Sequence, residues 1–176
     1  MKPISAFVAY DWNVDEKNVV WPFIRDQLKK VFEGFKTQKE KHPFKYRVGR
    51  MRAHHGADIC GSILKRCQNT DIAVFDISTG NGNVLFELGV AIGAKGVNSG
   101  AVFVFVEKTE VSISETLRKK VPSDLRGCFI TSYERTRMGL KLTDARGFQA
   151  ALRFIIKEAA IKRGMFDSEA ADLDLD

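Results

Sequence analysis

The sequence predicts a single α/β domain with a five-stranded parallel sheet and helices on both faces of that sheet. Short apolar runs recur along the chain, and the segments between them mostly carry helical periodicity, which is typical of this fold class. The chain has 176 residues, of which 44% are hydrophobic. That is enough for one full core but too little for two comfortable domains. We therefore expect one domain over residues 1–164 and an acidic tail over residues 165–176.

Five segments are candidate strands. They lie at residues 4–10, 45–48, 72–76, 101–107 and 128–133. A common order for five such strands is 2-1-3-4-5, whose switch point lies between the first and third strands. Ligands bind at such switch points, outside the carboxyl ends of the strands. The crevice is then expected between residues 10–13 and residues 76–87.

Helices are predicted where apolar side chains recur three or four residues apart. The first carries a stripe that begins at Val19 and breaks near Gly34, and a charged loop follows over residues 36–43. The second is defined by an apolar stripe of four residues. These are Ile59, Ile63, Leu64 and Cys67.

The later helices differ in how clearly the sequence defines them. The third is expected to begin near Asn83 or Val84, and Gly89 and Gly93 to permit close packing on the sheet. A weaker pattern covers residues 112–120. The last helix is the best defined, and Thr143 or Asp144 is its expected cap. Its expected buried face consists of Phe148, Leu152, Ile155, Ile156 and Ala159.

Charge is unevenly distributed along the chain. The net charge is +6, from 28 basic and 22 acidic residues, and the tail over residues 165–176 holds five of the acids and no base. The rest of the chain therefore has 28 basic against 17 acidic residues, a net charge of +11. Such a body can attract phosphate-bearing ligands. The bases follow no recognised nucleic-acid motif, so we expect a charged, solvated surface and no nucleic-acid partner.

The lengths of the apolar runs, the first residues and the cysteines together favour a cytoplasmic protein without a membrane partner. No apolar run approaches the length of a membrane helix, and the first residues lack a signal-peptide pattern. The cysteines, Cys60, Cys67 and Cys128, are odd in number, which favours reduced core thiols over a disulfide. His54 and His55 have no carboxylate or cysteine partner at metal-ligand spacing, so no metal site is expected.

One segment, residues 71–89, joins a buried strand, a Gly-rich turn and an amphipathic helix without a gap. It places the Glu87 carboxylate in the first turns of the helix, and so at the predicted crevice. We expect the helix N-terminus to favour the ionised form of Glu87. A glutamate in an early helical turn is also stabilising without any further role, so placement alone leaves both interpretations open.

The same segment resembles a known family. The run Asn81-Gly-Asn-Val-Leu-Phe-Glu-Leu-Gly-Val-Ala91, after a strand ending in Asp76-Ile-Ser-Thr-Gly80, is similar to the signature of TIR-like nucleotide-binding proteins and of the related nucleoside 2-deoxyribosyltransferases. Three weaker matches extend the resemblance to about residues 4–160. These matches are Phe7-Val-Ala-Tyr10, Cys67-Gln-Asn-Thr-Asp71 and Pro122-Ser-Asp-Leu-Arg-Gly127. The resemblance implies a flavodoxin-like, TIR-like domain.

This resemblance implies cleavage of the N-glycosidic bond of a nucleoside, a nucleotide or NAD, with Glu87 matching the catalytic glutamate of the family. Breaking that bond develops positive charge at the anomeric carbon, which a carboxylate stabilises or traps. The deoxyribosyltransferases tend to carry an aspartate six residues before that glutamate. This chain has Asn81 there, which argues against true transferase activity. Bacterial members of the wider group often serve in antiphage defence.

Further polar side chains are predicted to bind the substrate at the same crevice. Asp76 either orients a ribose hydroxyl or water, or accepts hydrogen bonds from the amides of the turn at Ser78–Gly80. Ser78 is expected at the same substrate site. Asn81 and Asn83 suit ribose or phosphate, and the turn amides form an anion-binding end.

The neighbouring strands contribute a second group of expected binding residues. Tyr10 and Asp11 end the first strand, where Tyr10 and Trp12 either stack on a base or belong to the core. Arg50 and Arg52 follow the second strand two residues apart, and they either clamp a phosphate together or are solvated.

From the residues and the resemblance together we expect an N-glycosidase, a hydrolase that acts on NAD or a related nucleotide. It needs no cofactor beyond that small-molecule substrate. Two alternatives remain open: a non-catalytic sensor of a nucleotide or NAD-derived signal, and a TIR-type self-assembly module. The sequence leaves open whether the chain forms a homo-oligomer.

Overall fold

The computed structural model describes residues 2–13, 19–38, 45–50, 59–96, 100–108, 125 and 128–164. The elements formed by these residues are, in chain order, β1 (Ile4–Ala9), α1 (Val20–Gln38), β2 (Tyr46–Arg50), α2 (Ile59–Asn69), β3 (Ile72–Asp76), α3 (Gly82–Lys95), β4 (Val102–Glu107), β5 (Phe129–Thr136), β6 (Gly139–Leu142) and α4 (Ala145–Lys162). The helix expected at residues 112–120 and the tail at residues 165–176 lie outside the described residues.

The strands form one sheet in the order β2-β1-β3-β4-β5-β6. The pairs from β2 to β5 are all parallel, which confirms the α/β class and the predicted order of the five parallel strands. The expectation of a wholly parallel, five-stranded sheet was wrong, because β6 pairs with β5 in antiparallel register. The hairpin between them turns through Arg137 and Met138, and it lacks the Asn-Gly or Asp-Gly pair that signals such turns.

Each face of the sheet carries its own hydrophobic core. On one face, α1 and α4 bury Ile24, Leu28 and Phe148 against the strands. On the other face, α2 and α3 bury Ile63 and Leu88. The strands β3 and β4 lie between these two layers and are buried almost throughout, as their continuous apolar sequences predict.

Several element boundaries differ from those predicted. Gly34 does not break the first helix, which continues to Gln38. The third helix begins at Gly82, because the side chain of Asn81 caps it by accepting hydrogen bonds from the first free backbone N–H groups. Of the two residues expected to cap α4, Thr143 and Asp144, it is Asp144 that accepts a hydrogen bond from the Gly147 amide, at 2.8 Å.

Predictions about burial were wrong in α2, α4 and α3. Leu64 of the expected apolar stripe and Cys60, an expected core thiol, are both exposed, while Cys67 is buried. In α4 the last buried alanine is Ala160 instead of the expected Ala159. Gly89 and Gly93 were expected to pack closely on the sheet, but they lie on the exposed side of α3. A methyl group added at either glycine would meet no atom within 4 Å. No helix among the described residues is long and apolar enough to cross a membrane.

A polar clamp closes the amino edge of the sheet. Asp71, just before β3, accepts hydrogen bonds from the backbone N–H of Ser5 at 2.7 Å and from its hydroxyl at 3.0 Å. Arg163, just after α4, pairs with the same carboxylate and also donates to the carbonyls of Lys2 and Pro3. The clamp therefore joins the end of the last helix to the starts of two central strands.

We expect Arg163→Ala to lower the free energy of unfolding by about 2 kcal/mol, the scale of losing hydrogen bonds that involve charged groups. In this variant the part-buried Asp71 carboxylate would lose its ion pair with Arg163 and would keep its hydrogen bonds from Ser5. Urea unfolding at neutral pH measures the change. Arg25→Ala is the control, because Arg25 forms an exposed pair with its neighbour Asp26. A control variant destabilised as much as Arg163→Ala would contradict the clamp.

Candidate functional site

The strands β1 and β3 are neighbours and run in parallel, so both end at the carboxyl edge of the sheet. Because α1 and α3 pack on opposite faces of the sheet, this edge is the switch point at which doubly wound folds form a ligand crevice. The Thr79 hydroxyl donates a hydrogen bond to the Asp11 carboxylate at 3.1 Å across this crevice. The two segments predicted to converge here therefore do meet.

The β1 side of the crevice contains one buried and one exposed aromatic residue. Tyr10 is 8% exposed and stacks on Trp21, with ring centroids 6.4 Å apart. Its hydroxyl accepts a hydrogen bond from Arg50 at 3.3 Å. Tyr10 is thus part of the core, whereas Trp12 is 74% exposed. Of the two alternatives that the sequence left open for Trp12, the structure excludes burial in the core, and its exposed ring has room to stack on a ligand.

Arg50 is the only one of the two expected phosphate-binding arginines within the described residues, since residues 51–58, with Arg52, His54 and His55, lie outside them. The Arg50 guanidinium reaches the Tyr10 hydroxyl and so lies at the β1 side of the crevice. Its backbone carbonyl accepts a hydrogen bond from Arg66 of α2 at 3.3 Å. Two guanidinium groups are therefore held close to the end of β2.

Asp76, at the end of β3, belongs to a closed polar network. It is 6% exposed, and its Oδ1 accepts hydrogen bonds from the amide of Ser78 at 3.0 Å and from the hydroxyl of the same residue. Its Oδ2 accepts a hydrogen bond from the Tyr133 hydroxyl of β5 at 3.0 Å. The Ser78 hydroxyl also accepts from the amide of Glu107 at 2.6 Å. Contact between Asp76 and a ribose hydroxyl would require this network to open.

Burial shapes the acid–base properties of that network. It raises the pKa of Asp76, and the hydrogen bonds from Ser78 and Tyr133 only partly oppose the shift. Burial also raises the pKa of Tyr133, and the neighbouring Asp76 charge raises it further. Tyr133 was missed by sequence reasoning, because a tyrosine near the end of a strand looks like any other core aromatic.

The backbone amides at the N-terminus of α3 donate hydrogen bonds to a side chain of the preceding turn. The side chain of Asn81 accepts hydrogen bonds from the amides of Asn83 at 2.9 Å and Val84 at 3.4 Å. The Asn81 amide in turn donates to the Thr79 hydroxyl at 3.3 Å. An anion bound at these amides would have to displace the Asn81 cap. Asn83 itself is exposed, and its position on the helix leaves its side chain accessible to a ligand.

Glu87 lies in the second turn of α3, on the side that packs toward α2. Its charge acts on Cys67, and the charge of Arg66 acts on Glu87. Burial raises the pKa of Glu87 from its ordinary value of 4.5 to about 7, and Arg66 opposes the shift only in part. The expectation that the helix N-terminus favours the ionised form was wrong. The dipole effect is confined to the first turn, and Glu87 lies beyond it.

Arg66 is the second residue that sequence reasoning missed. It lies in the last turn of α2, a position where a base is favoured by the helix dipole and needs no functional explanation. Its contact with the Arg50 carbonyl links α2 to the end of β2, while its charge reaches Glu87. Only the packing of α2 beside α3 places the arginine and the carboxylate near each other.

The raised pKa of Glu87 makes the stability of the protein depend on pH. A carboxyl group whose pKa is higher in the folded state stabilises that state at low pH, and this contribution is lost as the pH rises from 4.5 through about 7. Relative to Glu87→Gln, the wild type should lose about 2 kcal/mol of stability between pH 4.5 and pH 8, allowing for the part exposure of the side chain. Urea unfolding of both proteins across this range measures the difference, and parallel pH profiles would refute the burial of this carboxyl group.

Comparisons with known proteins do not place the chain in a family. No model of a known protein family matches it, and no curated protein matches it significantly. Within the described ranges, no group of three or more His, Cys, Asp or Glu side chains is arranged to hold a metal ion. The function is therefore inferred from the residues of the crevice and their geometry.

Proposed function

We propose that this protein is an N-glycosidase that cleaves the ribosyl C–N bond of NAD or a related nucleotide, with Glu87 as its central carboxylate. The observation that carries the proposal is the half-buried Glu87 carboxyl group on the helix that follows β3 at the switch point of the sheet, where burial raises its pKa to about 7. The Asn-x-Asn-Val-x-x-Glu-Leu-Gly resemblance supports the same residue.

A group with this pKa is present in both protonation states at neutral pH. As a carboxylate, Glu87 would stabilise the positive charge that develops at the anomeric carbon or trap it covalently. As a carboxylic acid, it would protonate a departing neutral base. The nicotinamide of NAD carries a positive charge at its glycosidic nitrogen and leaves without a proton. The carboxylate form is therefore the active one if NAD is the substrate.

The other crevice residues divide into binding and supporting roles. Arg50 and Arg66 provide positive charge for phosphate groups near the end of β2. Trp12 offers an exposed ring for a base, and Asn83 and Asp11 offer polar groups for ribose hydroxyls. The other predicted site residues within the part of the chain that the structure describes would hold this arrangement in place. They are Tyr10 beneath Arg50, Asp76 with Ser78 at the end of β3, and Asn81 as the helix cap.

Glu87→Gln should reduce cleavage of NAD by a hundredfold or more, the order expected for losing a positioned catalytic group. The wild-type rate should rise with pH through about 7, because the carboxylate form is the active one. Chromatography of reactions with NAD, NADP and a panel of nucleosides measures both effects. Glu158→Gln makes the same chemical change at an exposed position of α4 and serves as the control.

Three results would contradict parts of this proposal. A folded Glu87→Gln variant that cleaves at the wild-type rate would remove Glu87 from catalysis. A wild-type rate that falls as the pH rises through about 7 would assign Glu87 the role of general acid and favour a nucleotide with a neutral base. Binding of NAD without turnover by the wild type would identify a sensor.

Arg66→Ala and Arg50→Ala should each weaken NAD binding by about 1–3 kcal/mol, the scale of losing a charge-assisted hydrogen bond, while binding of nicotinamide riboside changes little. The riboside lacks the phosphates that these arginines would contact. Calorimetric titration with both ligands tests this, and Arg146→Ala on α4 controls for the loss of one positive charge. Equal weakening for both ligands would exclude phosphate contacts at these arginines.

A further inference from the structure

An apolar groove lies between α2 and α3, on the face of the sheet opposite α1 and α4. Its volume is about 540 Å³, which is within the usual range of ligand pockets. Its walls are mostly apolar, and they include Cys60 and Leu64 of α2 and Val90 and Ala94 of α3. Leu64 is 43% exposed. An occupant of the groove would therefore remove apolar surface from water.

The end of α4 lies near one end of this groove. The helices α2 and α3 both end at the amino edge of the sheet, where the Lys95 ammonium group of α3 donates a hydrogen bond to the Thr70 carbonyl just after α2. Arg163, just after α4, pairs with the Asp71 carboxylate at the same edge, with 2.5 Å between Nη2 and Oδ1. Residues 165–176 therefore continue from a point close to the ends of the two helices that form the groove.

Residues 165–176 combine apolar and acidic side chains. Five of them are acids and none is a base. Residues 172–176 read Asp-Leu-Asp-Leu-Asp. In an extended conformation, this alternation places both leucines on one side of the backbone and the three aspartates on the other. The pattern is typical of a segment that buries one side against an apolar surface and keeps the other side in water.

We propose that residues 165–176 bind in the groove between α2 and α3 of their own chain, with Leu173 and Leu175 against its apolar walls. The length of the segment fits this path. Residues 165–171 span up to about 23 Å when extended, which is enough to pass round the amino edge of the sheet. Residues 172–176 then cover about 16 Å. That matches the length of α2, whose 11 residues rise by about 16 Å.

Charge complementarity favours this segment as the occupant of the groove. The helices α2 and α3 together carry three bases and one acid, which are Lys65, Arg66, Lys95 and Glu87. They belong to a body, residues 1–164, whose net charge is +11. Five acids on the bound segment therefore meet an excess of positive charge. The segment also runs from the ends of the helices toward the start of α2, where the helix dipole favours negative charge.

Alkylation of Cys60 by iodoacetamide, a neutral reagent, tests the proposal on the full chain at low salt. Cys60 lines the groove and is exposed, whereas Cys67 and Cys128 are buried. The double variant Leu173→Ser, Leu175→Ser keeps all five acids of the segment and should speed alkylation of Cys60 by roughly fivefold, because a tethered segment at millimolar effective concentration covers even a weak site most of the time. Peptide mass spectrometry assigns the rate to each cysteine.

Two further measurements separate binding in the groove from other causes. Deletion of residues 165–176 should speed alkylation of Cys60 as much as the double variant does. A synthetic peptide of residues 165–176, added to the shortened chain at millimolar concentration, should slow the reaction again. High salt should bring the wild-type rate closer to that of the shortened chain, because it screens the acids of the segment from the bases of α2 and α3.

Met138→Ser is the matched control. It replaces an apolar side chain by the same hydroxyl at a fully exposed position of the hairpin between β5 and β6, and it should leave the Cys60 rate unchanged. Slow reaction of the buried Cys67 and Cys128 shows that each variant is folded. The proposal is overturned if the double leucine variant reacts at the wild-type rate, even where the deletion speeds the reaction. It is also overturned if the wild-type rate falls as protein concentration rises, since the segment would then occupy the groove of another copy.

Discussion

The arrangement at the carboxyl edge depends on one buried carboxylate. Asp76 has lost most of its contact with water, and leaving such a group without partners would cost several kcal/mol. Ser78 and Tyr133 supply hydrogen bonds to it, and Ser78 also accepts from the Glu107 amide. Because these partners come from β5, from the end of β4 and from the turn after β3, satisfying Asp76 fixes three strand ends relative to one another. The turn that leads into α3 is thereby fixed as well.

The position of α3 in turn determines the chemistry of Glu87. This helix packs beside α2, and the contact both withdraws the Glu87 carboxyl group from water and brings the Arg66 charge near it. The two effects oppose each other, and burial prevails. A carboxyl group that titrates near neutral pH is costly for stability as the pH rises, but it is suited to acid–base or electrostatic work. Such a compromise is common where a folded protein carries out chemistry.

The helix α3 has three different sides around its circumference. Val84, Leu88 and Ala91 bury one side of α3 against the sheet, and Glu87 faces the neighbouring α2. The third side, with Phe86 and the exposed glycines, is free of charge. The same helix therefore contributes to the core of the sheet and carries the proposed catalytic carboxylate.

The sequence by itself determined the α/β class, the order of the five parallel strands, a helix cap at Thr143 or Asp144 and the convergence of residues 10–13 with the turn after β3. These follow from local periodicity, capping chemistry and the regular topology of doubly wound sheets. Tertiary structure alone decided the antiparallel β6, the burial of Tyr10, the exposure of Trp12, and the proximity of Arg66 to Glu87. It also reversed the expected shift in the pKa of Glu87, because the sequence locates a residue on its own helix but not the neighbour that removes water from it.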